Sequence, residues 1–414
     1  MRLFLAILLA CGLSSVAVGQ EWTRFHGPNG QGRVEGVTVP ATWSAGNYAW
    51  TTDLPGIGNS SPTLWGNLLF VMSANPDDAT RYLLCYDADS GKELWRKSHE
   101  SRPHHLHNRN SYASCTPACD AERVYFAWSS DDETTLVALD HSGQQVWEKS
   151  LGPWVSQHGF GTSPAVYDGI VYLNANQEGE QLPAGVEPGQ SFLYAFDAAK
   201  GTELWRLPCE SSKLSYSVPC VVTNRGGEKE LVCTSTSEGM FAVDPKTGEM
   251  TWNLDVFEQR TVSSPIAAGG MLFGSTGSGG GGNYLVAIKP GDSPEEAYRV
   301  KGLVPYVPTS VADDELMYLF NDKGIVSAME LATGEIVWQE RIGGEFSGSP
   351  ILIGNRILMV NDAGEALVLK AGREFELLGK TSLGQQTRAT PAVANGMIFF
   401  RTDSKLLCLP GEKT

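Results

Sequence analysis

The apolar residues of this chain come in short runs broken by turn formers, without the 3.6-residue periodicity of a long helix. The clearest run reads Ala242-Val243-Asp244-Pro245-Lys246-Thr247-Gly248-Glu249-Met250-Thr251-Trp252: a strand, an Asp-centred turn closed by Gly, and a second strand carrying Trp. Copies place Asp87, Gly91 and Trp95; Asp140, Gly143 and Trp147; Asp197, Gly201 and Trp205; and Glu330, Gly334 and Trp338 in the same order, with the Trp four residues after the Gly. The Asp can bond amides of its own turn, Gly takes the positive φ the turn needs, and the indole buries a large ring against the same neighbour each time. That is a repeated hairpin, not a reaction centre.

Two further landmarks recur in register. One is a small or polar residue, a Pro and an apolar strand, at Pro62, Pro117, Pro164, Pro219, Pro265, Pro308, Pro350 and Pro391, spaced 55, 47, 55, 46, 43, 42 and 41 residues apart. The other is a small or modest residue inside a bulky strand: Cys85, Ala138, Ala195, Ala242, Ala287, Ala328, Val368 and Cys408. Units of this length that read as four short strands predict an all-β fold, an eight-bladed β-propeller with four-stranded antiparallel blades. The eighth unit stops after three strands, and Asn47–Leu54, with Trp50, is a Trp strand without a unit. The N-terminal strand should therefore complete the last blade and close the ring. Residues 46–414 then form one domain, with Trp50, Trp95, Trp147, Trp205, Trp252 and Trp338 as its docking rings.

Composition agrees with a β-rich chain, at 46 Gly, 22 Pro and 11 Trp, and the formal charge of −16 argues against nucleic acid or an anionic membrane surface as partner. Residues 1–19 read as a signal peptide: Arg2, an apolar run from Leu3 to Ala10 too short to span a membrane, and Ala17-Val18-Gly19 for cleavage. Leu8-Leu9-Ala10-Cys11 gives a rival reading, with Cys11 as a lipid anchor. Either sends the protein to the periplasm or outside. Residues 20–45 are expected to wrap the outside of the ring. Seven cysteines remain after cleavage; Cys209 with Cys220, or Cys220 with Cys233, are the pairs open to a disulfide, and the spacing of a structural zinc site is absent.

The Asp-x-x-x-Gly-x-x-x-Trp repeats, the Ser-Ser-Pro strands and the leader Phe25-His26-Gly27-Pro28-Asn29-Gly30-Gln31-Gly32 resemble the exported bacterial pyrroloquinoline-quinone-like (PQQ-like) repeat propellers over essentially the whole mature chain. The resemblance specifies the fold and not the activity, because such blades build both quinone-dependent alcohol dehydrogenases and an inert propeller lipoprotein of outer-membrane protein assembly. The dehydrogenase branch implies PQQ with calcium, adjacent cysteines, carboxylate and amide ligands, and an Asp base. No Cys-Cys pair exists here, and Asp131-Asp132-Glu133 and Asp313-Asp314-Glu315 read as solvated hairpins. No catalytic residue can be carried over.

Ligand contacts in a central funnel should come from the segments that lead from each Trp strand to the next Pro strand. These supply Asn59, Arg109, Asn110, Tyr112, His158, Tyr216, Arg260, Tyr306 and Arg388, a set of amides, rings and cations suited to an anionic, planar or sugar-like ligand. His104, His105 and His107, with His99 or His158, are weighed as a transition-metal site, but no regular spacing puts them on one face. The Gly274–Gly282 run lacks the Lys-Ser/Thr ending of a phosphate loop and reads as a hairpin, and the insertion Asn176–Gln190 as an overhang on the rim of blade 3. The sequence thus points to an exported, non-enzymatic scaffold for a protein, peptide or glycan, with a quinone-dependent oxidoreductase or metal-assisted hydrolase as the alternative.

Overall fold

The structure, a computed structural model, describes residues 21–130, 132–180, 182, 184–210, 212–291 and 293–413. The expected signal segment, Cys11 and Asp131 lie outside the described residues. The chain builds eight four-stranded antiparallel sheets in a ring. In order, their first and last strands are Thr63–Trp65 and Glu93–His99, Ala118–Cys119 and Gln145–Ser150, Ala165–Tyr167 and Glu203–Cys209, Cys220–Thr223 and Met250–Leu254, Ile266–Ala268 and Glu295–Lys301, Val311–Ala312 and Ile336–Arg341, Ile351–Ile353 and Leu377–Ser382, and Ala392–Ala394 and Trp50–Asp53. The N-terminal strand closes the ring as expected, Trp50 pairing with Cys408 and Asp53 with Lys405. The first strands of most successive blades neighbour one another around the axis.

The recurring small residue is explained by what lies across from it. Cys85, Ala138, Ala195, Ala242 and Ala328 each pair with the Trp of the last strand, and a register shift follows directly after each. The small side chain leaves room for the indole, and the bulge turns that indole toward the next blade. There the ring passes beneath the Gly of the neighbouring turn: Trp50 under Gly91, Trp95 under Gly143, Trp147 under Gly201 and Trp205 under Gly248. Each indole N–H donates to the carbonyl one residue past the turn's Asp, at Ala88, His141, Ala198 and Pro245.

Four seams depart from this pattern. Tyr298 stands in for Trp between blades 5 and 6, lying beneath Gly334 with its hydroxyl on the Leu331 carbonyl. Trp338 donates to the Gly372 carbonyl and meets Phe375 edge-on. Trp252 donates to Glu230 of its own blade, because blade 5 offers Pro290-Gly291 in place of the Asp turn. Blade 7 has Gly379 at the Trp position, where a Cβ would strike the Ala41 carbonyl at 2.3 Å. The N-terminal segment occupies that space and supplies Trp43, stacked on Phe400 of blade 8 at 5.6 Å.

The residue before each proline has its own task. Its hydroxyl accepts the backbone N–H of its counterpart in the preceding blade, giving Ser61 to Thr116, Thr116 to Ser163, Val218 to Ser264, Ser264 to Thr309, Thr309 to Ser349, Ser349 to Thr390 and Thr390 back to Ser61, at 2.9–3.1 Å. In blade 6 the position belongs to Thr309, with Ser310 where other blades have proline, so the landmark at Pro308 is two residues out of register. The one broken link, from Ser163, is where blade 4 offers Val218.

The expectation for residues 20–45 needs correction. Trp22 bridges to Leu64 of blade 1, the Thr23 carbonyl accepts from Cys119 of blade 2, and Asn29 exchanges two hydrogen bonds with Val221 of blade 4. Gln31 then reaches Ala267 of blade 5, and Arg33–Val34 pairs in parallel with Leu352–Ile353 of blade 7. A segment bonded to first strands on opposite sides of the ring crosses the axis. Residues 21–34 therefore plug one end of the channel, and only the part beyond follows blades 7 and 8. The plug is tightly folded: a Cβ on Gly27 would meet the Trp22 ring at 2.7 Å, and one on Gly32 the His26 ring at 2.3 Å. Apolar spacing could not show this, because backbone and amide contacts to the strands fix the segment.

The disulfide pairs are also corrected. All seven described cysteines are free. Cys220 pairs with Val232, so Cys233, one residue on, points to the opposite face of the sheet.

Candidate functional site

Plugged at one end, the channel is a cup of about 710 Å³, open on the face where last strands lead into the next blade. Phe25, from the plug, lines it together with the belt hydroxyls of Ser61, Thr116, Ser163, Ser349 and Thr390. The structure places eight of the nine residues named from sequence on this wall: Asn59, Arg109, Asn110, His158, Tyr216, Arg260, Tyr306 and Arg388. Tyr112 is the exception. Its ring turns behind the wall, with its hydroxyl on the His104 carbonyl and the Arg81 guanidinium over its face.

The three arginines of the cup come with their own counterions. Arg109 pairs with Glu345 at 2.9 Å, joining the blade 1 to 2 loop to the blade 6 to 7 loop; Arg388 pairs with Asp362 at 3.2 Å, and Arg260 with the fully buried Glu178 at 3.0 Å. Glu178 opens the insertion expected to overhang the rim, so its first residues dip into the wall instead. Asp322 accepts the N–H groups of Tyr306 and Val307, while burial pushes its carboxyl above the ordinary value. Burial, helped by Arg260 and then His107, pushes the His158 imidazole down to about 4. A neutral His158 sits with its ring 5.0 Å from that of His107, and its Nδ1 has no hydrogen-bond partner.

The other candidates separate. His99 packs on Trp128 and His104 on Tyr112, so the histidine run does not converge. Ser278, Gly279 and Gly281 of the Gly-rich stretch form cup wall rather than a free hairpin. Asp313 closes its own turn, and Asp314 holds Arg33 of the plug. A calcium-bound quinone needs carboxylate oxygens free to ligate. Arg109 and two backbone amides engage Glu345 and Asp322, and Arg260 and Arg388 each take one oxygen of Glu178 and Asp362, whereas Glu178 Oε1 and Asp362 Oδ1 are buried without a hydrogen-bond partner. Sequence reasoning missed Phe25, Glu178, Asp322 and Asp362; none stands in a repeated position except the two Asp, which occupy ordinary-looking turns.

Among curated relatives, tetrathionate hydrolase of Acidithiobacillus ferrooxidans is 24% identical over 81% of this chain, which spans 56% of that protein's length. Outer membrane protein assembly factor BamB of Yersinia pestis is 22% identical over 69% of this chain and 71% of its own. Among solved structures, the quinohemoprotein alcohol dehydrogenase ADHIIG of Pseudomonas putida aligns with a TM-score of 0.66 at 12% identity, over 95% of this chain and 81% of that one, which is a likeness of fold. The PQQ_2 family model, described as outer membrane protein assembly factor BamB, matches residues 79–340 and 322–409, and the chain belongs to that family.

Proposed function

We propose that this protein is an exported, non-enzymatic propeller that acts as a binding scaffold, receiving a partner at the cup and its surrounding loops. The observation that carries this reading is the pairing inside the cup. Every arginine there has its own carboxylate, and Asp322 holds two backbone amides, so these charged groups are bonded to the wall that carries them. What remains accessible is a set of rings, amides and hydroxyls suited to recognition. Membership of a family described as an assembly factor supports the scaffold role, and export to the periplasm or beyond is part of the same reading.

The rival is a quinone-dependent oxidoreductase, supported by the fold shared with the Pseudomonas dehydrogenase. One experiment separates the two: incubate the protein with pyrroloquinoline quinone and calcium, then follow melting temperature and dye reduction with alcohols. A scaffold shows no turnover. Sustained dye reduction would overturn the proposal.

A further inference from the structure

Resting on that reading, we infer that the cup binds a neutral oligosaccharide. Three observations converge on this ligand class. The first is charge compensation. Arg260 and Arg388 face the cup, while their partners stand behind the wall: Glu178 is fully buried and the Asp362 side chain is 13% exposed. The guanidinium groups therefore offer N–H donors whose charge is compensated, Lys323 of the lining is matched by the neighbouring Asp322, and an incoming anion meets the carboxylates as well as the cations. Sugar hydroxyls accept from such donors with no charge to repel. At the mouth, Arg109 and Glu345 expose both members of their pair, 41% and 63%, so one vicinal diol can accept from the first and donate to the second.

The second observation concerns the floor. Each belt hydroxyl already accepts a backbone N–H, which leaves its O–H proton to donate. Ser61, Thr116, Ser163, Ser349 and Thr390 thus face the cup as donors, each no more than 4% exposed. Donors without paired acceptors suit an oxygen-rich ligand. The same bonds consume the amides along the axis-facing edge at these positions, so an extended peptide cannot add there as another strand.

The third is the aromatic complement. Phe25, Tyr216 and Tyr306 line the cup, and the Tyr216 hydroxyl is fixed on the Gly159 carbonyl at 2.7 Å, which holds its ring in place. Fixed rings offer flat apolar faces for the C–H face of a pyranose beside polar groups for its hydroxyls. The volume lies within the range of about 300–1,000 Å³ that small-ligand sites occupy.

The test is titration of the whole mature protein with maltotetraose, cellotetraose and chitotetraose. Sulfate, phosphate, tetrathionate and a mixture of unstructured peptides serve as competitors, read by calorimetry and melting temperature. At least one tetrasaccharide should bind saturably and raise Tm by about 2–4 °C. Arg109→Ala should weaken it by about tenfold or more. Lys323→Trp, a substitution on an exposed cup-lining side chain, should abolish binding while leaving the unliganded Tm unchanged, which separates blockage from misfolding. Binding of an anion or a peptide in place of the sugars, or of none of these probes, overturns the inference. Neither result touches the scaffold reading, which falls only to quinone-dependent turnover.

Discussion

The seams make a sharp prediction at Gly201. This residue has φ +66°, and a Cβ added to it would sit 2.6 Å from Cδ2 and 2.7 Å from Cγ of Trp147, where carbon atoms prefer about 3.5–4.0 Å. Gly201→Ala therefore has two costs. The left-handed backbone costs about 1–2 kcal/mol. Displacing a 7% exposed indole costs about 1–3 kcal/mol in overpacking and strains its 2.9 Å bond to the Ala198 carbonyl, a further ~1 kcal/mol. Gly396 supplies the control: φ is +74°, with nothing within 4 Å of its added Cβ, so Gly396→Ala carries the backbone cost alone. For a chain of this length the unfolding entropy is about 0.8 kcal/mol per kelvin, so each kcal/mol moves Tm by about 1 °C. We expect Gly201→Ala to lower Tm by about 3–7 °C and Gly396→Ala by about 1–2 °C. In a Trp147→Leu background the Gly201→Ala cost should shrink toward the control value. If Gly201→Ala costs the same with and without the indole, Trp147 does not sit beneath this turn and the account of the seams is wrong.

Glu178→Gln leaves Arg260 half-buried without its counterion, and should destabilise by about 3–5 kcal/mol in equilibrium denaturation, far more than Glu345→Gln at the exposed mouth pair. Trp43→Ala should lower Tm by several degrees and increase proteolytic nicking of the N-terminal segment, since Trp43 fills the seam that blade 7 leaves at Gly379. Burial holds His26, His99 and His158 below the ordinary 6.5, so the folded state binds fewer protons than the unfolded chain. The share of stability this gives is complete above pH 6.5 and is lost as pH falls, for His158 toward about 4. Asp322 and Asp362, both raised, work in the opposite sense at the acid end. Tm should drop between pH 7 and 4.5, and His158→Gln should flatten that drop.

The ring was legible because its determinants are local and repeated. An Asp turn, a Gly and a Trp at fixed spacing state which hairpin forms, and the orphan strand at Trp50 states how the circle closes. The small residue at Ala138 or Ala195 was visible as a pattern before its purpose was, since only cross-strand pairing shows the indole opposite. The plug was misread for a physical reason. Its path depends on single amide and carbonyl bonds, such as Asn29 to Val221, between residues 192 apart in sequence, and no periodicity announces such bonds. The loops of the cup were found because topology alone sends them to the axis. Tyr112 was misassigned because neighbours on one loop can point to opposite sides of a wall, and Glu178 was missed because an irregular insertion hides where its first residues go.

The break in the hydroxyl belt at Val218 links these features. Without a hydroxyl there, blades 3 and 4 lose the bond that joins other neighbours near the axis. The seam is held instead by buried Asn174 of blade 3, whose amide donates to the carbonyl and hydroxyl of Ser217 at the entry to blade 4. Replacing one short link by a longer side-chain amide sets the strand connections of blades 3 and 4 apart from the others. That same sector holds Tyr216, His158 and the Arg260–Glu178 pair. Seven links of the belt make the ring regular, and the eighth is where regularity gives way to recognition. Val218→Thr should therefore restore a hydroxyl beside Ser163, shift Tyr216, and weaken whatever the cup binds while raising Tm. An unchanged affinity in that variant would mean that the broken link is incidental to the site.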